Sequence, residues 1–122
     1  MAGRKGYQRT ERVNELLREI IAEELVGHDN DALALVTITG VDVDREFEKA
    51  RVFYTSVDGD DTSEEIVDAL NDFRPRARRA VGRQTRLRRT PELEFLPDDV
   101  IRSAQRIEGI LKDLGSADRS AE

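Results

Sequence analysis

From Thr10 onward, Val13, Leu16, Leu17, Ile20, Ile21 and Leu25 recur at spacings of three and four, which places them on one stripe of an amphipathic helix. Thr10 is positioned to cap its start and Gly27 to end it. Residues 33–43 are rich in β-branched side chains (Val36, Thr37, Ile38, Thr39, Val41, Val43) and predict a strand, with Gly40 marking a bulge or bend. After a turn at Asp44, Arg45 and Glu46, residues 49–57 alternate, with Ala50, Val52 and Tyr54 on one side and Arg51, Phe53 and Thr55 on the other. The two strands are close enough in sequence to pair as an antiparallel hairpin.

Further along, Asp58 to Asp61 form an acidic loop without calcium-loop spacing, and Thr62 with Glu65 reads as a capping box before a helix that buries Ile66, Val67 and Leu70. Pro75 interrupts that helix, because it lacks an N–H and its ring collides with the preceding turn. The expectation is two helical pieces meeting at a kink at Phe73, Arg74 and Pro75, the second starting near Arg76 and turning Ala77, Ala80 and Val81 inward. That would put a helix N-terminus, which favours anions, inside the following basic run. A short strand at residues 93–96 stops at Pro97, and Val100, Ile101, Ala104, Ile107, Leu111 and Leu114 mark a last amphipathic helix ended by Gly115. The long connection between the second and third strands is a helical crossover, so the third strand can lie parallel to a neighbour. These elements predict an α+β chain of order α-β-β-α-kink-α-β-α, with a three-stranded mixed sheet and helices on one face.

At 122 residues this is one domain, read as a basic, flexible N-terminal arm at residues 1–9, a body at residues 10–114 and a disordered tail at residues 115–122. Cysteine is absent, which removes disulfides and thiolate metal sites, and no stretch reaches the ~18 apolar residues of a membrane span. A cytoplasmic location is the expectation. His28 is the only histidine, so a histidine-based metal centre or triad would rest on it alone, and it reads as a loop residue.

Charge is distributed unevenly. Residues 74–89, RPRARRAVGRQTRLRR, hold eight arginines (Arg74, Arg76, Arg78, Arg79, Arg83, Arg86, Arg88, Arg89) and no acid. The chain has 20 basic and 26 acidic residues, so this segment carries +8 and the remainder about −14. Such a concentrated field suits a polyanion. A solvated, salt-bridged helix face is the plainer reading of the same run. Arg4, Lys5, Arg9 and Arg12 can extend a basic surface from the N-terminal region, although Glu11, Glu15, Glu19, Glu23 and Glu24 are close enough in sequence to neutralise part of it.

Four pieces in order carry a family resemblance. They are Arg9-Thr10-Glu11-Arg12-Val13 leading into Leu16-Leu17-Arg18-Glu19-Ile20-Ile21; Val36-Thr37-Ile38-Thr39-Gly40-Val41; Ala50-Arg51-Val52-Phe53-Tyr54; and Arg86-Leu87-Arg88-Arg89-Thr90-Pro91-Glu92-Leu93-Glu94-Phe95. Over about residues 4–114 the chain resembles ribosome-binding factor A, a bacterial assembly factor of the small ribosomal subunit. The resemblance implies a type II KH-like fold in which a helix-kink-helix at Ala-x-Gly replaces the Gly-x-x-Gly loop. This chain has no Gly-x-x-Gly; counting back from Arg86-Leu87-Arg88 places the kink at Phe73, Arg74 and Pro75, although Ala80-Val81-Gly82 gives a literal match later.

Together these readings predict a monomeric, non-enzymatic factor that binds immature 16S rRNA and the free 30S subunit through the arginine run, with phosphate contacts dominating. The resemblance adds a role in maturing the 5′ region of that RNA, most important in the cold. The competing reading is a protein-interaction module that sets the same run against an acidic partner. No cofactor, metal or small-molecule substrate is implied, and no paired acid and base, nucleophile elbow or phosphate loop marks an enzyme.

Overall fold

The computed structural model describes residues 2–57 and 63–98, with side chains described from residue 10 onward. Helix α1 (Ala2–Val26) leads through a short 3-10 helix (Asp31–Leu35) into strands β1 (Val36–Val43) and β2 (Lys49–Ser56). Helix α2 (Glu64–Gln84) crosses to strand β3 (Glu92–Pro97). The central β2 pairs antiparallel with β1 and parallel with β3, giving the expected mixed sheet.

Both helices pack on one face of the sheet. Leu17, Ile20, Ile21 and Leu25 of α1 meet Ile66, Leu70, Phe73, Ala77, Ala80 and Val81 of α2 over Ile38, Val41, Ala50, Val52, Tyr54 and Leu93 in one aliphatic core. Tyr54 belongs to this core at 2% exposure, so it offers no ring for stacking on RNA. The hairpin register shifts between Ile38 and Gly40, a bulge at the site the glycine suggested.

Several boundaries differ from expectation. Helix α1 begins at Ala2, so residues 2–9 continue the helix rather than forming a separate arm, and Thr10 lies inside it instead of capping it. The strand expected from residue 33 begins at Val36, because the Asn30 side chain accepts from the Ala32 N–H and caps a 3-10 turn that buries Leu33. The cap of α2 is Ser63, which accepts from the Ile66 N–H at 3.3 Å; Thr62 and the acidic loop before it lie outside the described residues.

Residues 64–84 are assigned as one α-helix that contains Pro75, so the proline at the expected kink of Phe73, Arg74 and Pro75 does not divide it into two separate helices. Proline removes a single N–H, whose partner would be the Asn71 carbonyl. The buried stripe continues on both sides of it, with Leu70 and Phe73 before and Ala77, Ala80 and Val81 after. The same core therefore holds the turns on both sides of the proline. The last helix expected from Val100 and the tail at residues 115–122 lie outside the described residues.

Candidate nucleic-acid interface

A continuous α2 changes the electrostatics of the arginine run. No helix N-terminus lies within it. Arg79 and Arg83 occupy the C-terminal half of α2, where the exposed carbonyls and the negative end of the dipole favour cations. The positive field here therefore comes from side chains, with the helix end neutralised rather than adding to an anion site.

The eight arginines fall into two groups. Arg76 clasps the end of α1: its Nε donates to Glu24 Oε1 at 2.6 Å, its Nη2 donates to the Gly27 carbonyl at 3.3 Å, and its Nη1 approaches His28 Nδ1 at 3.4 Å. Hydrogen bonding from Arg76, the largest influence, holds the Glu24 carboxyl below the usual carboxylate range. His28 lies in the loop after α1, as the sequence suggested, with its ring centre 5.2 Å from the buried Phe73 ring and tilted to it.

Arg78 donates to the Thr90 carbonyl at 3.1 Å and lies 3.5 Å from the Glu92 carboxylate. Arg89 pairs with Glu48 at 2.8 Å. Arg74 is half-buried, donates to Asn71 Oδ1 at 2.7 Å, and sits 6.0 Å from the centre of the Phe95 ring. These four contribute to the architecture, with Arg76, Arg78 and Arg89 already matched to carboxylates.

Arg79, Arg83, Arg86 and Arg88 are exposed, and among the described residues none makes a hydrogen bond or ion pair. Arg79 and Arg83 are four apart on α2 and share a face. Arg86 and Arg88 come from the adjoining segment, residues 85–91, which is held firmly. The Thr85 N–H and hydroxyl both donate to the Val81 carbonyl, at 3.1 and 2.8 Å, and cap α2. Leu87 is partly buried against the core and Pro91 is buried. Leu87 turns inward while Arg86 and Arg88 on either side of it are exposed.

Gly82 lets this segment cross the helix closely. A Cβ there would lie 3.1 Å from Thr90 Oγ1. The crossing leaves a shallow groove lined by Pro75, Arg78, Arg79, Gly82, Arg89 and Thr90. Arg79 is the one arginine of that lining with no ion pair among the described residues.

Of the N-terminal candidates, Arg12 is exposed on α1, about 18 Å along the axis from Glu24 at 1.5 Å per residue. The side chains of Arg4, Lys5 and Arg9 lie outside the described set. Sequence reasoning missed the partners Glu24, Glu48, Glu92 and Thr90, which are distant in the chain and carry no local signal. Among the described residues no group of three or more His, Cys, Asp or Glu could hold a metal. No described helix is long and apolar enough to cross a membrane.

The family model described as ribosome-binding factor A matches residues 9–111. The chain belongs to the ribosome-binding factor A family. It is 38% identical to the ribosome-binding factor A of Rubrobacter xylanophilus over 111 residues, covering 90% of each chain. Identity to that of Acidothermus cellulolyticus is 41% over 113 residues, or 91% of this chain and 75% of the other. Among solved structures, the crystal structure of Thermus thermophilus ribosome-binding factor A superposes with a TM-score of 0.65 at 27% identity, covering 72% of this chain and 93% of that one. A Thermus thermophilus homology model fitted into the cryo-EM map of a 30S complex matches with a TM-score of 0.58 at 29% identity, covering 68% and 88%. The mixed sheet with helices on one face is the KH-like fold of this family.

Proposed function

We propose that this protein binds the small ribosomal subunit as an assembly factor, recognising immature 16S rRNA through Arg79, Arg83, Arg86 and Arg88. The observation that carries the reading is that these four guanidinium groups make no ion pair within the described fold, on one helix face and an adjoining braced segment. An arginine fork matches phosphate oxygens bidentately, so four such groups track a backbone without reading bases. Family membership, and a relative fitted into a 30S map, support the subunit as the target. Phe53 and Phe95 are half-buried in or beside the sheet and Tyr54 is buried, which favours recognition of RNA shape and charge over base stacking.

On this reading the protein works in the cytoplasm as a monomer and without chemistry of its own. It binds precursor subunits while the 5′ region of their RNA matures, a role of most consequence in the cold. An acidic protein is the competing target for the same surface. Sedimentation of the purified protein with isolated 30S particles, 50S particles and an acidic protein tests the choice. Selective sedimentation with 30S supports the proposal. Binding to acidic protein with none to 30S overturns it.

A further inference from the structure

Two carboxylates stand directly beside the arginine surface. Glu48 Oε1 accepts from Arg89 Nη1 at 2.8 Å, and Glu92 Oε1 lies 3.5 Å from Arg78 Nη2. Arg78 and Arg89 line the same shallow groove as Arg79, the lining arginine with no ion pair among the described residues. Free and occupied cations are therefore neighbours.

One piece of backbone places both acids. The Glu92 N–H donates to the Glu48 carbonyl at 2.9 Å, joining the start of β3 to the residue before β2. Just ahead of Glu48 the chain turns through Phe47, which has a positive φ of 56°. The Phe47 N–H donates to the Asp44 carbonyl at 3.1 Å, the Glu48 N–H donates to Asp44 Oδ1 at 2.7 Å, and Phe47 packs against the core. A bulky residue stays in that region only when its surroundings hold it there. Here they also hold Glu48 opposite Arg89.

The pairs are too open to water to be worth much to the fold. Arg78 and Glu92 are 45% and 70% exposed, and Arg89 and Glu48 62% and 60%. Their effect on a polyanion is larger. A phosphate that binds a free arginine releases the cation condensed on it. A phosphate that takes Arg78 or Arg89 must displace a carboxylate, which gathers a cation in its turn, so that exchange releases no net salt.

We propose that Glu48 and Glu92 hold Arg89 and Arg78 out of the RNA contact and so limit how tightly this surface binds a polyanion. The inference rests on the RNA-binding reading and adds to it the part played by the two acids. The parent offers four arginines to phosphate, and without the two carboxylates it would offer six.

Affinity of the full chain for isolated 30S subunits, measured across a salt series, tests this with Glu48→Gln and Glu92→Gln combined. Glu64→Gln with Glu65→Gln is the control, removing the same charge about 21 Å or more along α2 from Arg79. The Glu48/Glu92 variant should deepen the slope of log affinity on log salt from about −3 to about −4. At about 0.1 M salt it should bind on the order of tenfold tighter, while the control matches the parent. Adding Arg78→Ala and Arg89→Ala should return the slope to the parent's value, which a merely stabilising role for the acids would not do. Each single glutamine variant should show about half the change, a readout that remains if the combined variant does not fold. A parent slope near −3 that the glutamines leave unchanged overturns this inference and leaves the RNA reading standing, as does an equal gain in the control. A parent that does not bind 30S overturns both.

Discussion

Arg76 and Glu24 meet at 2.6 Å across 52 positions of sequence, joining the middle of α2 to the last turn of α1. The contact shows that an arginine inside a basic run can belong to the fold rather than to a partner. Arg76 is 40% exposed and Glu24 18%, so the pair is partly screened and its worth is modest. Arg76→Ala also removes the bonds to Gly27 and His28 and should destabilise by about 1–2 kcal/mol. Arg79→Ala should leave thermal stability unchanged. A loss of stability in Arg79→Ala equal to that in Arg76→Ala would erase the division between the two groups.

The same pair sets an acid dependence. The Glu24 carboxyl titrates below its ordinary value of 4.5 in the folded protein, chiefly because Arg76 hydrogen-bonds its charged form. A group whose folded pKa is depressed stabilises the fold above its unfolded pKa and loses that contribution as pH falls through the folded value. Glu24→Gln should therefore be less stable than the parent at pH 7, with the gap closing below pH 4.5. Melting curves of both proteins across this range give the comparison, and a gap that widens in acid would contradict the account.

Gly82 is expected to resist enlargement. Alanine would gain helix propensity of up to about 1 kcal/mol but must push Thr90 aside, since its Cβ would lie 3.1 Å from Thr90 Oγ1. Gly82→Val cannot fit without displacing that residue, and with it the Arg78 bond to the Thr90 carbonyl. Hydrogen exchange at residues 85–91 should accelerate in the valine variant while β1 and β2 remain protected. Unchanged exchange there would mean the crossing is not braced by this contact.

Pro75 should be a stability liability that the core tolerates. Pro75→Ala restores one N–H to the Asn71 carbonyl and should stabilise the protein by about 1–3 kcal/mol. Denaturant unfolding measures this directly. A destabilised alanine variant would show that the helix needs the proline geometry.

Much of this fold was legible because burial follows period. The alternation Ala50, Val52, Tyr54 identified β2 and its inner face, and Gly40 located the bulge. Pro75 does not end the helix because the local rule is opposed by Leu70, Phe73, Ala77 and Val81, whose burial holds the turns on both sides of it. The start of α1 was missed because a polar, glycine-containing stretch has no apolar stripe to signal helix. The arginine run was visible as charge, but its division was not. Which guanidinium meets an acid depends on Glu24, Glu48 and Glu92 arriving from elsewhere in the chain.

Arg79, Arg83, Arg86 and Arg88 are proposed to form the RNA contact, while Arg76, Arg78 and Arg89 are paired with carboxylates of the fold itself. Affinity for isolated 30S subunits measured across a salt series tests it most directly. Four phosphate contacts at about −0.7 each predict a slope of log affinity on log salt near −3. The variant with these four arginines changed to alanine should stay folded and lose both most of its affinity and most of that slope. Equal affinity and an equal slope in the parent and the fourfold variant would mean that these arginines do not contact the RNA.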